Sequence, residues 1–487
     1  MKISLLFPKW TGEYGLFSCF TRKAGTFPPL NLAYIAAIAE SQGHEVRISD
    51  GEVDNLSPEK MVQETSDFHP DLIGMTATTP FYHIAVNLAK KLKEVTDTPI
   101  VIGGHHITVL REKAFDRVFD YAFIGEAERS WQMFLKKYEN NRKVTDVPGV
   151  LYRDRDDIRF TGPAELIWNL DTLPFPARHL LSSRRYFIGT LRGNKNFSTV
   201  MTVRGCPFKC IFCNTEVFGG RTRKHSPEYV IRDIREIKEK IGIDHIAFLD
   251  DSFTLDRKHV MDLCDRLIAE KLKITFETST RANTIDDELV AKMVEAGLIR
   301  ISYGLESTDS NIRRIIRKEV PLESYDIANK ITNKYGIETD NTCMIGLPGE
   351  TLETVRETLA FLRKSREIKQ ANMNIAVPYP GTQLYEMALR GDYGLRLATT
   401  DFSKYRRYNS AVMFVGNFSP KDLIDIQNEA YASIYLAPWR WIPMIKKFGI
   451  LGALFTFGRL IKTLLTRKTR FITNKQLGIK NQKNHPR

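Results

Sequence analysis

Three cysteines fall within eight positions in the stretch RGCPFKCIFCN (residues 204–214): Cys206, Cys210 and Cys213. Three thiols cannot pair off as disulfides, and C-x3-C-x2-C lacks the second ligand pair of a two-plus-two zinc site. Three thiolates at this spacing can hold three irons of a [4Fe–4S] cube, which leaves the fourth iron open to a small molecule. Cysteine is otherwise scarce, six in 487 residues, and Cys19, Cys264 and Cys343 lie far apart. That is no disulfide framework, and a reducing, cytoplasmic setting is expected.

The length calls for two or three domains. Residues 1–140 alternate β-rich runs (KISLLFP, EVRISD, DLIGMTA, PIVIGG, YAFIGE) with helical stretches, the pattern of a doubly wound, Rossmann-type parallel sheet. Residues 141–197, with the charged RDRDD and the LPFPAR stretch, read as a linker. From 198 to 390 the alternation restarts with six candidate strands: TVMTVRG, HIAFLDD, ITFETSTR, RISYGLES, ETDNTCMIG and NMNIAVPY. Ser226 and Pro227 start one intervening helix, with Gly242 near its stop, and Gly297 ends another. Six βα units in about 190 residues predict a partial barrel with its reactive groups at the C-terminal strand ends. Cys206 follows the first of those strands. The last segment, 391–487, reads as helical with a basic amphipathic tail.

The cysteine motif in this place resembles the radical S-adenosylmethionine superfamily, whose C-x3-C-x2-C follows the first strand of a partial (β/α)6 barrel. The resemblance implies that the open iron chelates S-adenosylmethionine and that an electron cleaves the sulfonium to methionine and a 5′-deoxyadenosyl radical. It also assigns positions by their order along the chain. Asp250 and Asp251 of FLDDSF would accept from the methionine ammonium, and Glu277 and Arg281 of ETSTR end the third strand, where Arg281 could pair with the carboxylate. Glu306 and Ser307 of YGLES would lie near the ribose, and Gly346 of MIGLPGE beside the adenine.

The first domain, through PPLNLAYIAAIAESQGHEVRISD, HPDLIGMTATT, PIVIGGHHIT and FIGEAE, resembles the cobalamin-binding domain that precedes many such barrels. Gly103 and Gly104 would let the backbone approach a large ligand, and Thr76 and Thr78 could bond its edge. Many cobalamin proteins carry D-x-H-x-x-G after the first strand. Here that loop reads PKWTGEYGLF and has no histidine, so no protein histidine is expected below the cobalt. DFHPDL (67–72), which contains His69, matches that motif only by chance, and His105 and His106 read as turn residues.

The net charge of +13 is a property of the tail: no acid follows Glu429, whereas twelve Lys and Arg do. The run FGILGALFTF between Lys447 and Arg459 is too short to span a bilayer. Flanked by Trp439, Trp441 and basic residues, it reads as an interfacial helix for an anionic membrane. No nucleic-acid module accompanies the charge. The branch resembled includes enzymes of hopanoid and isoprenoid lipids and the anaerobic Mg-protoporphyrin monomethyl ester cyclase. It implies a cobalamin-dependent enzyme, peripheral at the inner membrane face, fed electrons by a flavodoxin or ferredoxin and acting on a hydrophobic substrate. C-methylation is the leading expectation, and ring closure or rearrangement of a lipid or tetrapyrrole is the alternative. Methylthiolation of tRNA or protein would ask for a second cysteine cluster, and a non-catalytic sensor would form no 5′-deoxyadenosine.

Overall fold

The structure, a computed structural model, describes residues 1–11, 26–141, 144–190 and 193–466. Most of the loop after the first strand, Cys19 and the chain beyond 466 lie outside these residues.

The first sheet contains β1 (Lys2–Phe7), β2 (Glu45–Asp50), β3 (Leu72–Thr76), β4 (Ile100–Gly103) and β5 (Tyr121–Phe123), parallel and in the order β2-β1-β3-β4-β5. β3 is buried at every position, as a central parallel strand covered on both faces must be. The order reverses between β1 and β3, which opens a crevice at their C-terminal ends. His69 ends the helix Pro58–Phe68 in the left-handed conformation, at the opposite, N-terminal edge of β3.

The expected linker is only partly one. β6 (Val150–Asp154) and β7 (Asp157–Phe160) form a hairpin that extends the first sheet beyond β5. RDRDD misled because its charges occupy the hairpin tip, with Arg155 at φ 58°, while Val150 and Leu151 are fully buried. The first domain therefore runs to about residue 160. The strap that follows is tied to both domains: Tyr186 donates to Asp50 (2.6 Å), and Arg178 is buried in a pair with Asp233 (2.6 Å). It leads to a hairpin of β8 (Phe187–Thr190) and β9 (Gly193–Asn196).

The second sheet begins at β10 (Ser198–Val200). A small ribbon of β11 (Val203–Arg204) and β12 (Arg223–Lys224) follows, and then come β13 (His245–Phe248), β14 (Thr275–Thr280), β15 (Leu298–Glu306), β16 (Glu338–Ile345) and β17 (Gln370–Ile375). The six barrel strands are parallel and lie in chain order, β10-β13-β14-β15-β16-β17. The helices Pro227–Glu236 and Asp287–Glu295 begin and end as the sequence predicts, on the Ser226 cap and before Gly242 and Gly297. Outward residues such as Ile246, Phe276, Ile301, Cys343 and Ile375 join one apolar core beneath the helices. Inward positions are mostly polar, and Ser279, although in an interior strand, is exposed, so the lumen is open.

The barrel does not close, and β17 would present a bare edge. The helix Pro420–Tyr435 covers it. The Tyr435 hydroxyl serves both the N–H and the carbonyl of Ala371, the Tyr431 hydroxyl accepts from the Met373 N–H, and Gln427 donates to the Met373 carbonyl (2.7 Å). The barrel unit thus extends past residue 390, and the 391–487 segment also contains two short strands, Leu395–Leu397 and Met413–Val415. Next, Arg440, fully buried, donates to the carbonyls of Leu362 (2.7 Å) and Lys369 (3.4 Å). The helix Trp441–Thr466, broken at Gly449 (φ 72°), then crosses to β9, whose Lys195 reaches Thr275 at the start of β14. This helix lies on the barrel floor, at the N-terminal strand ends. Among the described residues no helix is long and apolar enough to cross a membrane.

Candidate active site

The cysteines sit on a loop (205–222) whose neck is the β11–β12 ribbon. Val203–Arg204 pairs with this ribbon instead of the barrel, so the barrel strand stops at Val200 and Cys206 lies six residues beyond it. Gly205 (φ 87°) admits no side chain, because a Cβ would fall 2.2 Å from the Arg221 carbonyl. Farther along, the Ile211 N–H donates to the Ile316 carbonyl (3.2 Å), its carbonyl accepts from Leu384 (2.9 Å), and Cys210 Sγ lies 3.7 Å from the Arg317 carbonyl.

The three thiols lie close enough to perturb one another. Burial, then the Cys210 and Glu306 charges, pushes the Cys213 thiol up to about 12, although it opens onto the mouth of the barrel. Burial likewise raises Cys206. Mutually repelling soft donors on one anchored loop become stable as thiolates only around cationic metal, and such a donor set fits three corners of an iron–sulfur cube.

The positions expected around the cofactor divide into two groups. Asp250 is not open to a ligand. It accepts from the Thr202 N–H (2.7 Å) and hydroxyl (2.5 Å) and from the Val203 N–H (2.9 Å), so it fixes the entry to the cysteine loop. Burial nevertheless lifts its carboxyl to about 6. Asp251 is exposed at the mouth, with His105 of the first domain close enough to oppose the effect of burial on its carboxyl. Glu277 is also displaced from the expected site. It shares a lumen face with Arg281, but four residues of strand, roughly 13 Å, separate them. Glu277 points to the floor, where it meets Arg300 (3.4 Å) and His245 (3.8 Å) beside Asp340. Burial opposes its ionisation, but hydrogen bonds from His245 and Arg300 prevail and hold it below the usual range.

At the mouth itself, Arg281 stacks on Phe208 of the cysteine loop, 3.6 Å from the ring centre. Glu306 (φ 62°) accepts from Lys318 Nζ (3.3 Å). Its burial raises the carboxyl, and Lys318 and Arg281 oppose that rise. Ser307 is buried and its Oγ accepts from the Asp309 N–H (3.2 Å). The Gly346 N–H donates to Glu350 (2.5 Å). Arg281, Glu306, Lys318 and the cysteines thus form one cluster. Lys318 escaped the sequence reading because RRIIRKE looks like a solvated charge run.

In the first domain, Thr76 accepts from Asn31 (2.8 Å), Thr78 is exposed, and a Cβ added at Gly103 would meet nothing within 4 Å. Gly104 (φ 103°) instead packs on Ala77, whose carbonyl a Cβ would approach to 2.6 Å. This open edge fits a large flat ligand, and it faces the cysteine loop. The rings of His105 and Phe218 are 6.5 Å apart, and Gly381, at the turn after β17, abuts Val109 and Asn214 so closely that a side chain would clash. A cavity of about 310 Å³ lies between the domains, lined by Thr108, Ile124, Gly125, Phe160, Asn214 and Val217 among others.

Comparison with known proteins defines the class. Residues 200–362 match the Radical SAM superfamily and residues 21–132 match the B12 binding domain. An uncharacterized methyltransferase of Pyrococcus horikoshii is 34% identical over 444 residues, covering 90% of this chain and 93% of that protein. The chain belongs to the radical S-adenosylmethionine enzymes with a cobalamin-binding domain. A [4Fe–4S] cluster, S-adenosylmethionine and cobalamin are therefore its cofactors. It is also similar to the anaerobic magnesium-protoporphyrin IX monomethyl ester cyclase of Cereibacter sphaeroides (27% over 451 residues, 89% and 72% covered). A third relative is the hopanoid C-3 methylase of Methylococcus capsulatus (27% over 391 residues, 77% and 70% covered). The structure of the radical S-adenosylmethionine methyltransferase TsrM from Kitasatospora setae, with cobalamin and a [4Fe–4S] cluster bound, shares the fold (TM-score 0.71, 16% identity, 96% and 99% covered).

Proposed function

We propose that this enzyme transfers a methyl group from S-adenosylmethionine to a carbon atom of a hydrophobic substrate held between its two domains. The observation that carries this reading is the opposition of two C-terminal sheet edges, His105 and Val109 on one side and Phe218, Asn214 and Gly381 on the other. When bound, the cluster supplies the electron for sulfonium cleavage and cobalamin carries the methyl group between the edges. Cys206, Cys210 and Cys213 hold the cluster. Arg281 and Lys318 are the cations for the methionine carboxylate, Asp251 the anion for its ammonium, and Glu306 and Ser307 the polar groups nearest the ribose. Gly346 lines the adenine side, and Thr76, Thr78, Gly103 and Gly104 line the cobalamin side.

The hydrophobic substrate class rests on the similarity to the hopanoid methylase and the protoporphyrin cyclase. The basic tail lends it little support, because its helix packs on the floor. A bilayer held against the exposed Ile442, Ile450 and Leu454 would face away from the mouth. A second reading, radical ring closure or rearrangement, is favoured by similarity to the cyclase.

The test is anaerobic incubation of reconstituted protein with methyl-labelled S-adenosylmethionine and lipid and tetrapyrrole extracts. Methylation predicts 5′-deoxyadenosine, S-adenosylhomocysteine and a labelled product. Label retained in methionine beside a product that has lost hydrogen or is isomeric with its substrate would establish ring closure or rearrangement, and formation of neither 5′-deoxyadenosine nor a labelled product would refute both readings.

A further inference from the structure

Reductive cleavage of a sulfonium consumes one electron, which must reach the cluster from outside the fold. We propose that a small, acidic electron-transfer protein docks on the outer face of the cysteine loop, over Lys209, Arg221 and Arg317, with Trp168 at its rim. All three cations are exposed. Cys210, by contrast, is buried, and its sulfur lies 3.7 Å from the Arg317 carbonyl, so a ligand sulfur is one residue from the surface here.

The patch is contiguous. Lys209 precedes Cys210, and its Nζ would lie 3.7 Å from a Cβ placed at Gly220. The next residue, Arg221, stacks over Trp168 (5.6 Å), which is 58% exposed. On the other side the segment Ile316–Arg317 is held against the loop by the Ile211–Ile316 hydrogen bond.

Among the described residues no carboxylate forms an ion pair with any of the three. Elsewhere surface cations do find acids: Arg257 meets Asp286 and Glu288, and Lys334 meets Asp287. Two acids that flank the patch in sequence are taken up elsewhere or set apart. Glu165 is engaged by Arg129, and Glu319 follows the buried Lys318. Cations left unpaired beside an exposed indole attract an anionic partner and repel a second copy of the same face. The patch adjoins the cavity between the domains, since Leu166 and Gly219, two residues from Trp168 and Arg221, line it. In the transfer the docked donor is oxidised by one electron and the cluster reduced by one, with no atom exchanged. The inference holds whether methylation or ring closure follows.

The experiment compares 5′-deoxyadenosine formation driven by reduced flavodoxin with that driven by dithionite, in the wild-type holoenzyme and in Lys209→Glu, Arg317→Glu and the double variant. Flavodoxin binding is measured by titration calorimetry at low and high salt. The double variant should lose roughly ten-fold or more in the flavodoxin-driven rate and in affinity, while its dithionite-driven rate stays within about two-fold. Wild-type affinity should fall with salt. Should Lys209→Glu lose iron, Arg221→Glu with Arg317→Glu reads the same surface from outside the cysteine run. Unchanged flavodoxin affinity and rate in an iron-replete multiple variant would overturn the proposal.

Discussion

Glu126 and Arg223 meet in a two-pronged ion pair, with N–O distances of 2.6 and 2.7 Å and side chains only 3% and 1% exposed. Glu126 follows the C-terminal end of β5, and Arg223 is half of the neck of the cysteine loop. Arg204, its cross-strand partner in that neck, lies 2.7 Å from Glu128, 3.5 Å from Glu126 and over the ring of Tyr34. Two carboxylates and two guanidiniums thus bind the cobalamin-side sheet directly to the strand pair that carries the cluster ligands.

Removing one member of such a group strands a buried charge, which costs about 3–5 kcal/mol. Glu126→Gln should therefore lower the urea midpoint markedly, and Glu126→Leu combined with Arg223→Met should recover part of the loss. A wild-type midpoint for Glu126→Gln would mean that the pair contributes nothing to the fold.

The cysteine loop gives a sharper contrast. Changing Cys206, Cys210 or Cys213 to Ala should abolish 5′-deoxyadenosine formation and lower the iron bound to reconstituted protein. Cys264→Ala, on the buried face of the helix Arg257–Ala269, should keep both and lose only packing energy. Full activity in Cys210→Ala would remove the cluster assignment.

Cobalt without a protein nitrogen beneath it has its own absorption spectrum. His69 is on the wrong edge of its sheet, and His106 is packed against Tyr82, 4.3 Å between ring centres. His69→Ala, His105→Ala and His106→Ala should leave the bound cobalamin spectrum unchanged. A shift in any one of them would identify a ligand.

How much of this was legible in the sequence depended on locality. The cysteine run, the six barrel units and the helix stops at Gly242 and Gly297 are short-range patterns, and each could be read directly. The β6–β7 hairpin was hidden because its charged tip dominates the composition of its segment. Glu126, Arg204 and Arg223 could not be paired, since 97 positions separate the outer two and nothing local marks a carboxylate that will be buried. Asp250 and Asp251 are adjacent, and only the turn of the backbone decides which one serves the loop and which the mouth. The helix Pro420–Tyr435 shows an ordinary helical pattern, and its role as an edge seal depends on tyrosine hydroxyls meeting a strand some 60 residues earlier.

Glu350 gives a pH signature. It accepts from the Gly346 N–H, and complete burial lifts its carboxyl to about 8. A carboxyl raised in the folded state favours folding when protonated. Its contribution is full below the unfolded value near 4.5 and is lost as pH rises through about 8. Glu350→Gln removes this titration, so the stability difference between variant and wild type should shift in the variant's favour between pH 6 and about pH 9. Parallel wild-type and variant curves of stability against pH would show that Glu350 is ionised throughout.

The floor helix supplies the last prediction, because the described part of the tail packs on the barrel. Arg440 is fully buried against the carbonyls of Leu362 and Lys369, beside Trp439 (4.2 Å from the ring centre), and burial pulls its pKa down to about 10. Met444 and Ala453 are buried under the barrel. A chain ending before Pro438 leaves both carbonyls without a donor and exposes the floor, so its midpoint of thermal unfolding should drop by several degrees. Arg440→Ala should reproduce much of that drop through the unsatisfied carbonyls. Ile450→Asp, on the exposed outer face at 68% accessibility, should leave stability unchanged. Thermal scans of the three variants beside wild type decide the matter. A truncated chain with the wild-type midpoint would show the helix to be an appendage, and the buried arginine a contact without consequence for the barrel.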